Sequence, residues 1–191
     1  MAAEKIAPGN AKNPLLSSAR PGEYEVMKRS IAVRCMCALA LILCFWVWRE
    51  RYLSVTHAKA WEWNSFRLSD IASLMISGDL SPQLGPITNA VNNMGIAAIV
   101  CGTSLLVPGA FGIIRPASRR LLPVSVVSAL VLVLATATLY FEALRLYGMA
   151  ATPTVAPNGG TYVAAIVAAI EIGAGMIARN AFVPLVARSK P

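Results

Sequence analysis

The stretch from Leu121 to Phe141, LLPVSVVSALVLVLATATLYF, decides the fold of this chain. Its 21 residues contain no charged side chain, and about 20 apolar residues in a helix are enough to cross the hydrocarbon core of a bilayer. Pro123 falls in the first helical turn, where its missing N–H group is harmless. The stretch therefore predicts a membrane-spanning helix that begins directly after the basic turn RPASRR at 115–120.

Three further apolar stretches predict three further spans, at about 31–48, 87–107 and 162–178. Of the 191 residues, 57% are hydrophobic and 14% charged, which is more apolar surface than one small soluble core can bury. We expect Pro108 and Gly109 to kink or end the second span. The predicted fold class is an all-α integral membrane protein, a bundle of four transmembrane helices.

The segments outside the spans differ in composition. Residues 1–29 are rich in Pro, Gly, Asn, Ser and charge, and they predict a flexible tail before a transmembrane domain at 30–186. A basic C-terminal tail follows at 187–191. In the long connection 49–86, apolar residues recur at helical spacing over about 66–76, which predicts an interfacial helix that lies on the membrane surface or docks a partner.

The distribution of Lys and Arg predicts that both ends of the chain are cytoplasmic. Of the 17 basic residues, an N-in/C-in arrangement places all but five on the inside. Short cytoplasmic loops carry an excess of Lys and Arg, so this split favours that orientation. The five basic residues on the outside are Arg49, Arg51, Lys59, Arg67 and Arg145.

Several function classes find no support in the sequence. The net charge of +8 lies outside the apolar stretches rather than on one face of a soluble fold, which argues against nucleic-acid binding. Signatures of soluble enzymes are missing, and His57, the single histidine, has no visible partner for acid–base work. The four cysteines all fall in predicted spans without metal-ligand spacing. We expect no catalytic residue, no cofactor and no metal.

Small residues form one face on each of two predicted spans. Gly95 and Gly102 lie on such a face of the second span, and Ala168 and Gly175 on that of the fourth. Small side chains let helix backbones approach closely, and close packing drives helix association in lipid. We expect both faces to pack against protein.

Glu171 is the most informative residue, because an ionisable group near the middle of a span is costly and is usually functional or paired. Helical geometry places it on the small-residue face of the fourth span. Ser128, seven residues from the inner end of the third span, should lie at the same depth. We expect Glu171 to bond Ser128 or a basic group on a partner chain. Glu142 lies at the edge of the same polar stripe as Ser128.

A short tail, a long first outer loop, a tight basic turn and a short second outer loop give a layout that resembles claudin-type tetraspan proteins. In that family a tryptophan motif in the first loop is followed by two cysteines. This chain has Trp61 and Trp63 there but no cysteine. The resemblance is one of topology only.

Two functions remain open from the sequence. The first is a non-catalytic accessory subunit of a larger membrane complex, with lipid and other membrane subunits as partners. The second is a small oligomeric proton or ion transporter or channel component that uses Glu171. Largely unbroken spans and a single central carboxylate favour the first, because transport sites usually involve broken helices and several polar groups. Either protein would be multi-pass, in a bacterial inner membrane or a eukaryotic membrane.

Overall fold

The described part of the chain folds into five helices and one small sheet. A computed structural model of the protein describes residues 21–57, 60–77, 85–147 and 154–180. The helices are α1 (Pro21–Arg49), α2 (Leu68–Ser77), α3 (Gly85–Ile114), α4 (Leu121–Tyr147) and α5 (Gly159–Asn180), and the strands are β1 (Arg51–His57), β2 (Ala60–Arg67) and β3 (Thr154–Pro157).

Four of the helices, α1, α3, α4 and α5, are long and apolar enough to cross a membrane. Their many exposed large apolar side chains, among them Ile42, Leu130 and Ile166, are consistent with a surface that faces lipid. The helices pack in the order α1, α3, α4, α5, with α5 returning to α1, and α3 also touches α5 across the centre. The four-span expectation thus agrees with a mostly helical, multi-pass architecture.

The helices are longer than the predicted spans. α1 begins at Pro21, so residues 21–29 are helical and not part of a flexible tail. α3 continues through Pro108 to Ile114, whereas the sequence predicted a kink or an end there. Hydropathy identifies the part of a helix that lies in the hydrocarbon core. The helix itself can continue beyond that core into the headgroup region. The other predicted tail segments, 1–20 and 187–191, lie outside the described residues.

A three-stranded antiparallel sheet corrects the all-α prediction. Its strand order is β2-β1-β3, so the first long connection supplies two strands and the connection before α5 supplies the third. Leu53 of β1 pairs with Phe66 of β2 and with Pro157 of β3. The aromatic and β-branched residues of these segments suit a pleated surface, and the hydrophobicity that suggested an interface is also typical of strands.

The short helix α2 packs on the bundle. Leu68 and Ile71 are buried, and Met75 lies against Gly95 of α3. A helix thus lies within two residues of the predicted bounds, and its apolar face contacts this chain's own α3. Its position at the membrane surface stays a prediction.

Tyr52 joins the sheet to the helices. Its side chain is 1% exposed, and its hydroxyl forms a 2.7 Å hydrogen bond with Thr136 Oγ1 of α4. The backbone carbonyl of Tyr52 accepts hydrogen bonds from the Asn158 N–H and from the Thr161 hydroxyl at the start of α5. The sheet is therefore held to the middle of α4 and to the start of α5.

Candidate functional site around Glu171

Glu171 lies in the interior of the bundle, 2% exposed, on the face of α5 that turns toward α1 and α3. Its Oε1 atom lies 3.4 Å from the position that a Cβ atom on Gly109 would occupy. Leu41 of α1 borders the same spot. A carboxyl side chain fits here because Gly109 has no side chain of its own.

The continuous helix α3 lacks one backbone donor beside this carboxyl group. Pro108 lies inside the helix and has no N–H, which leaves the Ser104 carbonyl, four residues earlier, without its helical donor. The thiol of Cys44 on α1 donates to the neighbouring Leu105 carbonyl over 3.4 Å. A buried carboxyl group and a proline in a spanning helix thus meet at the centre of the bundle.

The predicted bond between Glu171 and Ser128 does not form. In the described part of the chain Oε1 of Glu171 is buried without a hydrogen-bond partner, and the Ser128 side chain forms no hydrogen bond. Depth alone suggested the pair, but α5 packs more closely on α1 than on α4, so the Glu171 face turns away from Ser128.

Glu142 belongs to a second polar cluster, separate from Glu171. Its Oε1 atom accepts a 2.7 Å hydrogen bond from Asn93 Nδ2, which joins α4 to α3. Its Oε2 atom has no hydrogen bond among the described residues and lies 3.8 Å from Nη1 of Arg145. This cluster lies toward the end of the bundle that carries the sheet.

The small residues of both predicted faces contact elements of this chain. Gly102 lies against the Trp48 indole of α1, and Gly175 lies against the Leu122 backbone of α4. Ala168 packs at the margin of the main core. These faces hold the chain's own helices together, so a partner chain would have to use another surface.

The hydroxyl groups of α4 divide between two roles. Ser125 and Thr138 donate to carbonyls of their own helix, at Leu121 and Leu134. Thr136 instead bonds Tyr52, a residue that the sequence analysis did not single out. The signal that could have found Tyr52 is the run of aromatic and β-branched residues in β1, which indicates a strand beside the membrane.

Nothing in the described residues resembles a metal site, since no group of three His, Cys, Asp or Glu residues lies close enough to hold an ion. Glu171 is therefore a single acidic group in an apolar setting. In comparisons with models of protein families, with curated proteins and with solved structures, nothing matches this chain.

Proposed function

We propose that the chain is a non-catalytic accessory subunit of a larger membrane protein complex, with both ends in the cytoplasm and the sheet outside. The observation that carries the proposal is the attachment of the sheet to the bundle through Tyr52. A surface fixed in this way is ready to bind a partner without an ordering cost.

The sheet also offers the chemistry of a docking surface. β2 is an edge strand, and no described strand pairs with its outer side, which leaves backbone groups available to a partner strand. Arg51 and Arg67 are exposed and lie opposite each other in the register of β1 and β2. Like charges placed opposite each other destabilise a sheet. An acidic segment of a partner would relieve that repulsion.

The charge distribution supports the orientation. The tight turn between α3 and α4 contains Arg115, Arg119 and Arg120 without an acidic residue. Cytoplasmic connections carry such an excess. The opposite end of the bundle, which bears the sheet, then faces away from the cytoplasm.

The proposal is tested by gentle detergent extraction of the tagged full-length chain and identification of the chains that co-purify. We expect a defined heteromeric complex at a fixed stoichiometry, which the double variant Arg51→Glu, Arg67→Glu disrupts. The matched control Arg51→Lys, Arg67→Lys keeps both positive charges in place and should leave the complex intact. A lone monomer or homo-oligomer from wild-type protein would contradict the proposal.

A second candidate function is transport of protons or small cations, favoured by the buried carboxyl of Glu171 beside Pro108. An ionisable side chain in the interior of a spanning bundle commonly marks an ion or proton pathway. For this function Glu171→Gln is decisive, because an amide has nearly the same shape but cannot exchange a proton or pair with a cation. In sealed vesicles the variant should abolish flux while the melting temperature stays unchanged. Wild-type vesicles without flux would eliminate this candidate.

A further inference from the structure

A groove opens between the ends of α4 and α5 that lie opposite the sheet. Its volume is about 520 Å³, and it is lined by Arg119, Leu122, Pro123, Val126, Val127 and Arg179. Arg119 comes from the turn before α4, and Arg179 lies in the last turn of α5. The groove thus has two guanidinium groups at its mouth and an apolar wall below them.

A close helix contact sets the spacing of the α4 and α5 backbones near the two arginines. A Cβ atom on Gly175 would lie 2.7 Å from the Cα atom of Leu122, so the backbones of α4 and α5 touch at this level. Arg119 is three residues before Leu122, and Arg179 is four residues after Gly175. Neither helix can change the width of the groove without breaking this contact.

The last turn of α5 receives a hydrogen bond from a side chain of another helix. Nη1 of Arg29 on α1 donates a 2.9 Å hydrogen bond to the Asn180 carbonyl. This bond supplies a donor to the last turn of α5, where carbonyl groups lack helical partners. It also brings a third guanidinium group to the same end of the bundle. The Arg179 side chain lines the groove beside this cap.

We propose that this groove binds an anionic phospholipid, with the phosphate held between Arg119 and Arg179 and an acyl chain along Val126 and Val127. Guanidinium groups match phosphate oxygens in charge and geometry. Among the residues that the structure describes, no carboxylate lines the groove. Val126 and Val127 are 41% and 59% exposed on a spanning helix, so the wall faces the hydrocarbon region.

The position of the groove selects a lipid over a soluble anion. Both arginines lie at the ends of spanning segments, where headgroups are found, and the apolar wall continues from them toward the membrane centre. A free phosphate would use only the mouth of the groove. Basic sites between transmembrane helices on the cytoplasmic side are suited to anionic headgroups. In the orientation proposed above, the lipid comes from the cytoplasmic leaflet.

The test measures lipid binding to the full-length chain in detergent by native mass spectrometry. The probes are dioleoyl phosphatidylglycerol and, with the same acyl chains, dioleoyl phosphatidylcholine. Arg119→Gln, Arg179→Gln should weaken phosphatidylglycerol binding about 30-fold, since each arginine near an anionic headgroup contributes about a factor of five. The control Arg51→Gln, Arg67→Gln removes the same charge at the sheet, the opposite end of the bundle, and should change binding less than about threefold, because charges farther apart than about 10 Å are largely screened.

A second variant tests the apolar wall without changing charge. Val127→Trp fills the groove and should lower phosphatidylglycerol binding, whereas Val133→Trp, on the same helix but outside the groove, should not. Equal losses in the two arginine pairs, or equal binding of both lipids, would overturn the proposal. So would competition by inorganic phosphate at the concentration of the lipid, which would identify a simple anion site. Unchanged melting temperatures without added lipid exclude misfolding as the cause.

Discussion

Gly175→Ala tests the closest backbone contact in the bundle. The added methyl group would lie 2.7 Å from Leu122 Cα and 3.0 Å from Leu122 N. Both atoms belong to the backbone, so no side-chain rotation can relieve the overlap and α4 must move away. Overpacking of this kind costs about 1–3 kcal/mol. The helix propensity of alanine is about 1 kcal/mol more favourable than that of glycine, and this gain partly offsets the cost of the overlap.

Gly173→Ala is the matched control because it has the same propensity gain on the same helix. Its methyl group would lie 3.3 Å from Met36 Cε, the flexible end of a long side chain that can shift. The difference between the two variants therefore isolates the overlap and should be about 1–3 kcal/mol.

Thermal unfolding in detergent, followed by tryptophan fluorescence, measures this difference. Gly175→Ala should melt about 2–12 °C below Gly173→Ala. Equal melting temperatures would show that α4 and α5 do not touch at Leu122, and the width of the proposed lipid groove would then have no structural basis.

Two further predictions concern hydrogen bonds. Tyr52→Phe should lower the free energy of unfolding by about 0.5–1.5 kcal/mol, and adding Thr136→Val should cost little more, as a double-mutant cycle would show. Burial raises the pKa of the Tyr52 hydroxyl, so stability should fall as the pH rises above the ordinary tyrosine value of 10, and less steeply in Tyr52→Phe. Asn93→Ala leaves Glu142 Oε1 without its donor and should cost about 1–3 kcal/mol in thermal unfolding, whereas Asn92→Ala should cost less than half as much.

The spanning helices were readable from the sequence because each must satisfy its backbone within itself and present apolar side chains to lipid. The stretch from Leu121 to Phe141 needs no tertiary information to be assigned. The continuation of α3 past Pro108, in contrast, could not be assigned without tertiary information. Pro108 removes only the helical bond to the Ser104 carbonyl, and Cys44 of the neighbouring helix supplies an additional donor one residue further, at the Leu105 carbonyl.

The sheet could not be placed by hydropathy, since the aromatic residues of β2 suit both a strand and a membrane interface. β3 has four residues, too few for a periodic signal, and forms only because β1 lies beside it. The chain's own residues thus determine the sheet through a pairing between distant segments.

For Glu171, the sequence predicts the face of its own helix but not the residue that it contacts on the facing helix. Its helical face follows from the positions of Ala168 and Gly175, and the structure places the residue in the bundle interior. The neighbour on the other side depends on the order of helices around the bundle, which the sequence of one chain does not specify. Glu171 therefore lies against Gly109 rather than Ser128.

Cysteine labelling tests the orientation on which the placement of both the sheet and the lipid groove depends. In a variant whose four native cysteines are replaced by alanine, single cysteines are introduced as Pro157→Cys in β3 and Ser118→Cys in the turn before α4. Sealed cells are treated with a membrane-impermeant thiol reagent. We expect position 157 to be labelled at once and position 118 only after permeabilisation. Labelling of position 118 in sealed cells, with position 157 shielded, would contradict this orientation.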